Sequence, residues 1–124
     1  MKIAALIARI LLGLLFVAGG LSEFAFTFAA SPPPLPGLAG EFQHVFFASR
    51  WALFIGVAQL CMGILLLANR YVNLALVMLA AFFFNSLAYH TTLAPSGLPV
   101  AIAALGLWLL VALPRRANFG FLLK

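Results

Sequence analysis

Residues 3–22 read IAALIARILLGLLFVAGGLS, a run whose only charge is Arg9. A helix of about 20 apolar residues crosses the hydrocarbon of a bilayer, and this run has that length with no proline in it. Three further apolar runs follow. Residues 49–68 are interrupted by Gln59, residues 71–93 carry Asn73, Asn85, Ser86, Tyr89 and His90, and residues 98–113 are short and free of charge. The pattern predicts an all-α fold: a membrane four-helix bundle with short loops, in one integral membrane domain spanning residues 1–124. Composition agrees. The chain has 124 residues, 66% apolar and 7% charged, with mean hydropathy +1.20, against about 45–50% apolar and about 25% charged in a soluble domain. A water-soluble globule is excluded, and so is disorder, because there is too much apolar surface to bury. Net charge is +5, but the basic residues are scattered along a greasy chain. No nucleic-acid partner is expected, and the partner implied is the lipid bilayer.

The connections differ in kind. Ser31-Pro32-Pro33-Pro34-Leu35-Pro36-Gly37 cannot be helical, because consecutive prolines lack donors and clash with the preceding turn; it reads as a stiff polyproline segment. Residues Glu41–Ser49, with Phe42, His44 and Phe46 among them, predict an amphipathic helix lying in the interface before the second span. Asn69-Arg70 is a tight turn, and Pro95-Ser96-Gly97-Leu98-Pro99 is the turn before the last span, where Pro99 suits the first helical turn. The first run is too long for a signal peptide and ends in no suitable cleavage site, so it is kept as a span. Even-numbered crossing puts both termini and the Asn69-Arg70 turn on one side with Lys2, Arg9, Arg70, Arg115, Arg116 and Lys124, whereas Arg50 and Glu41 are on the other. Short basic loops stay inside. The expected localisation is therefore the cell membrane, multi-pass, with both termini cytoplasmic.

Polar side chains at bilayer depth cost free energy, so their positions carry information. Arg9, Gly13, Phe16, Gly20 and Glu23 make one stripe of the first helix, and Ala52, Gly56, Gln59 and Gly63 a similar stripe of the second. Small residues at this spacing let backbones approach closely in lipid, so these stripes are expected to face the bundle or a second copy of the chain. Glu23, Arg50, Gln59, Asn85, Tyr89 and His90 gather toward the outer leaflet and are the candidate ligand-binding residues. Each has a plainer role. Glu23 and Arg50 suit an ion pair, Gln59 and Asn85 interhelical hydrogen bonds, His90 a helix cap, and Tyr89, Trp51 and Tyr71 interface anchors. Arg9 is expected to snorkel to the inner interface, and His44 to face solvent. Several phenylalanines cluster toward the outer half, where they suit lipid, core or the lining of an apolar pocket.

Cys61 is the only cysteine, so there is no internal disulfide, CxxC pair or cysteine metal site. In its apolar run it is expected to be buried and inert. The sequence holds no HExxH, phosphate-binding loop, dinucleotide fingerprint or nucleophile elbow, and no metal site is expected.

Three blocks of this sequence, taken together, resemble the DoxX-like family of small membrane proteins. RILLGLLFVAGGLSE (Arg9 to Glu23) is similar to that family's opening helix, QLCMGILLL (Gln59 to Leu67) to its second helix, and NSLAYH (Asn85 to His90) with LAPSGLP (Leu93 to Pro99) to its third helix and following turn. Glu23 stands where a lysine is common and Gln59 where a glutamate is common. The resemblance implies a four-helix membrane bundle. It also implies a link to quinone oxidoreductases and oxidative-stress membrane complexes as a small subunit, or, in distant eukaryotic relatives, to receptor assembly.

The chain has no electron carrier of its own and no intrinsic cofactor, so electron chemistry must come from a partner oxidoreductase subunit or a bound cofactor. The leading expectation is an accessory subunit of a membrane redox system with an outer-leaflet pocket for a quinone or similar apolar ligand. Here His90 and Asn85 donate to a carbonyl, and Glu23 and Arg50 set local charge. The competing expectation is a non-catalytic assembly or interaction protein whose polar residues only hold the bundle. A transporter would need a homo-oligomer, since four spans leave little room for a pathway.

Overall fold

A computed structural model describes residues 2–124. Five α-helices are formed, α1 Lys2–Phe28, α2 Gly37–Ala48, α3 Trp51–Leu67, α4 Val72–Thr92 and α5 Leu98–Ala112, with 3₁₀ segments at Pro95–Gly97 and Leu113–Leu123. In lipid every backbone N–H and C=O must be satisfied within the segment, so long apolar runs become helices. Among the described residues three helical stretches are long and apolar enough to cross a membrane, Lys2–Phe28, Val72–Thr92 and Pro95–Leu123. The fourth candidate is α3, whose 17 residues lie at the short end of the spanning range of about 17–25. It is joined to α2 through a bend of 82°. A separate short helix therefore precedes α3, as expected, and runs across its axis.

Its boundaries differ from those expected, beginning at Gly37 instead of Glu41. Pro36 is extended at φ −81° and ψ 156°, and Gly37 adopts φ 62°, so the chain reverses out of the proline segment at once and coils. Gly40 admits the Leu35 carbonyl where a Cβ would sit, and Gln43 Nε2 donates to the Pro33 carbonyl at 2.9 Å. Both contacts tie the helix to the proline segment. The first span continues past Ser22 to Phe28, short of Ala30, where the sequence allowed it to reach, because nothing at Glu23 breaks the helix.

Both tight corners use residues in the left-handed region. Arg50 has φ 64° where α2 meets α3; its N–H bonds the Phe47 carbonyl, and Ser49 Oγ accepts from the Trp51 N–H at 3.2 Å. After α3, Asn69 at φ 53° sends its N–H to the Leu66 carbonyl, and the Arg70 N–H goes to Leu65. This is a Schellman closure with asparagine in the position usually held by glycine.

The spans form a ring in the order α1, α3, α4, α5, each packing on the next and α5 returning to α1. The α1–α3 contact is the most extensive. Its centre is glycine against glycine. A Cβ at Gly20 would lie 2.7 Å from the Gly56 carbonyl oxygen, and one at Gly63 would lie 2.8 Å from that of Gly13. The glycine stripes are thus consumed inside the bundle. Across the diagonal, Phe16 of α1 meets Phe82 and Phe83 of α4 edge-on at 5.1 and 5.7 Å, among buried Leu12, Met62, Leu66, Leu76 and Leu79.

Cys61 corrects its expectation: it is exposed. With Phe54, Val57 and Ile64 it forms the outer stripe of α3, because the inward positions of that helix are taken by Gly56, Gln59 and Gly63. An apolar neighbourhood in sequence meant hydrocarbon, not protein interior.

Candidate functional site

The register of the glycine seam places the polar residues of α1 and α3. With residue 20 facing 56 and 13 facing 63, Glu23 comes against the start of α3, where a Cβ on Gly56 would lie 3.0 Å from the Glu23 Cβ. Gln59 comes against Gly19, its Oε1 3.3 Å from where a Cβ there would be. Gln59 is the one buried polar side chain among the described residues, and its Oε1 has no hydrogen-bond partner. Glu23 and Gln59 therefore share one seam, a helical turn apart.

The same register carries Arg9 to the far end of α3. Its Nη1 donates to the Leu66 carbonyl and reaches the Leu67 carbonyl at 3.5 Å. These are last-turn carbonyls of α3, beyond the reach of the helix's own N–H groups; that of Leu66 accepts from the Asn69 N–H as well, and a cation also suits the negative end of the helix dipole. Arg9, expected at the inner interface, caps the end of α3. The signal was present in the sequence, since once Gly13 is paired with Gly63, Arg9 must face residues 66–67.

At the opposite end, α2 lays an aromatic shelf across the bundle. Phe42 stacks on Phe46 at 5.7 Å and meets Trp51 of α3 at 5.9 Å and Tyr89 of α4 at 5.2 Å. Phe47 meets Phe26 of α1 at 6.0 Å. Three helices are thereby joined under one short amphipathic helix. Tyr89 contacts His90, ring to ring, at 5.0 Å. His90 Nδ1 lies 3.1 Å from the Ala94 carbonyl oxygen. A carbonyl only accepts, so Nδ1 carries the proton and, in the neutral ring, Nε2 is an acceptor. Gly97 makes this position available, because a Cβ there would collide with the imidazole.

The remaining candidates stand apart. Asn85 is exposed and spends one amide hydrogen on the Ala81 carbonyl of its own helix at 2.9 Å. Arg50 rests over the Phe28 ring at 5.5 Å, and among the described residues no hydrogen bond or ion pair joins it to Glu23. The six candidates thus fall into a seam pair (Glu23, Gln59), a shelf pair (Tyr89, His90) and two surface groups (Arg50, Asn85). No group of three or more His, Cys, Asp or Glu able to hold a metal occurs among the described residues. His44 is exposed.

The profile of the DoxX family matches residues 4–94, which takes in α1 to α4 and so both the seam and the shelf. The chain belongs to the DoxX family. No curated protein and no solved structure matches it. Family membership and the exposed apolar faces, such as Ile3, Phe54, Phe84 and Val100, together make it a multi-pass membrane protein in contact with lipid. The matched region ends at Ala94, where the His90 cap closes α4.

Proposed function

We propose that this DoxX-family chain is an accessory subunit of a membrane redox system and that it takes a quinone-class ligand under α2. The observation that carries this reading is the aromatic shelf of Phe42, Phe46, Trp51 and Tyr89, with the His90 Nε2 acceptor at its edge. Flat apolar rings stack offset or edge-on with such a surface, and a few placed polar groups then fix orientation. An acceptor suits the hydroxyl of a hydroquinone better than the carbonyl of a quinone, so the reduced form is the preferred ligand. The basic end of the bundle, with Lys2, Arg9, Arg70, Arg115 and Arg116, faces the cytoplasm on this reading, which leaves the shelf at the outer leaflet.

The test uses the two tryptophans separately. In a Trp108→Phe background Trp51 is the sole indole, and a short-chain hydroquinone added to protein in lipid nanodiscs is expected to quench its fluorescence saturably. His90→Phe in that background should weaken the hydroquinone more than the quinone. Quenching that rises linearly with ligand, with no saturation, overturns the proposal.

A second reading is favoured by Asn85. An exposed amide beside Phe84, which is 77% exposed, is an unusual pairing on a lipid-facing helix, and a partner span would use its free hydrogen. On that reading the chain is an assembly protein, and Asn85→Leu abolishes co-purification of the partner while leaving quenching at Trp51 unchanged.

A further inference from the structure

The end of the bundle where α1 begins and α5 finishes holds a cleft of about 350 Å³ lined by Lys2, Arg9, Asn69 and Arg115, with Leu6 and Val111 among its apolar walls. Two separate segments supply the positive groups, Lys2 and Arg9 from α1 and Arg115 from the C-terminal segment, and the α3–α4 turn adds the Asn69 amide. Among the described residues no acidic side chain lies at this end. The chain has two acids, Glu23 and Glu41; Glu23 is about 21 Å along α1 from Arg9 at 1.5 Å per residue, and Glu41 is on α2. Arg9 gives one N–H to α3 and keeps the rest of its fork. Guanidinium groups match phosphate oxygens in pairs. Leu6 lines the cleft and is 48% exposed, and Ile3, Ile7 and Ile10 continue that exposed apolar face along α1.

We infer that this cleft binds the headgroup phosphate of an anionic glycerophospholipid, whose acyl chains lie along Ile3, Leu6, Ile7 and Ile10. Scattered basic residues at a membrane surface attract anionic lipid diffusely. A cleft with convergent donors and an apolar wall opening toward the hydrocarbon instead holds one lipid in one place. The site is at the other end from the shelf and does not depend on the function proposed for it.

Native mass spectrometry of the full chain, released from micelles doped with phosphatidylglycerol or phosphatidylcholine, reads the retained lipid directly. Phosphatidylglycerol is expected to be retained in preference to phosphatidylcholine. Lys2→Gln and Arg115→Gln should each weaken its retention about fivefold, as expected for one basic group near a membrane surface. Arg116→Gln is the control, because Arg116 lines a different cleft; it should leave retention unchanged. Arg9 is left intact because it caps α3, and an unaltered circular dichroism melt verifies that the variants fold. Equal retention of the two lipids, or an equal loss in Arg116→Gln, overturns the site. Displacement of phosphatidylglycerol by inorganic phosphate at matching concentration would assign the cleft to free phosphate and overturn the lipid.

Discussion

The two sides of the bundle are built on opposite principles. Between α1 and α3, glycines at 13, 20, 56 and 63 bring backbone to backbone, so close that a Cβ would meet a carbonyl oxygen. Between α4 and α5 the contacts come from larger side chains, and an apolar cleft of about 360 Å³ remains beside Leu76, Ala80, Trp108, Ala112 and Phe119. Lipid tails are as apolar as leucine, so helices in a membrane are held by close packing and hydrogen bonds more than by the hydrophobic effect. The glycine side satisfies that requirement by shape. The α4–α5 side does so with a hydrogen bond, from Trp108 Nε1 to the Leu76 carbonyl at 2.9 Å.

The sharpest challenge to this contrast is to fill the seam. Gly20→Val should cost about 3 kcal/mol or more, the upper range for overpacking, because its neighbours are the Gly56 carbonyl and the Leu60 backbone. Gly106→Val, where nothing lies within 4 Å, should change little. Titration into denaturing detergent compares the two, and equal losses would erase the distinction between the sides. Arg9→Met should cost about 2 kcal/mol, the scale of a charged hydrogen bond to a helix end, and should speed hydrogen exchange at Asn69 and Arg70. Arg9→Lys should recover part of that loss.

On the looser side the effects shrink. Trp108→Phe should lower stability by about 1 kcal/mol, the net worth of one hydrogen bond, and should raise uptake of an apolar probe such as a spin-labelled lipid beside α5. A loss as large as that of Gly20→Val would mean that α4–α5 is as tightly specified as the seam. Asn85→Ala, on an exposed position whose bond is to its own helix, should stay within about 0.5 kcal/mol in the same titration.

Much of this architecture is legible in the amino-acid sequence. The glycine stripes marked the faces of α1 and α3 suited to close packing, without saying that they meet each other; the triple proline marked where helix could not form, and the amphipathic run after it announced α2. The candidate site was readable only in part. Tyr89 and His90 lie side by side at one end of α4, as their adjacency requires. Glu23 and Arg50, by contrast, were expected to pair because both lie at the same end and carry opposite charge. The corner at Arg50 turns its side chain onto Phe28, leaving Glu23 in the seam. Depth along a helix can be counted from the chain; azimuth around it depends on what the neighbouring helix offers.

The amino-acid order dictated that helices form and which faces could touch, because apolar runs in hydrocarbon have no other way to satisfy their backbone and glycine spacing is a matter of periodicity. Packing in three dimensions settled the partners: Arg9 on the end of α3, α2 folded across the bundle through 82°, and the basic groups of α1 and the C-terminal segment drawn around one cleft. Those outcomes join residues far apart along the chain, and no local pattern encodes which of several equally apolar surfaces will meet.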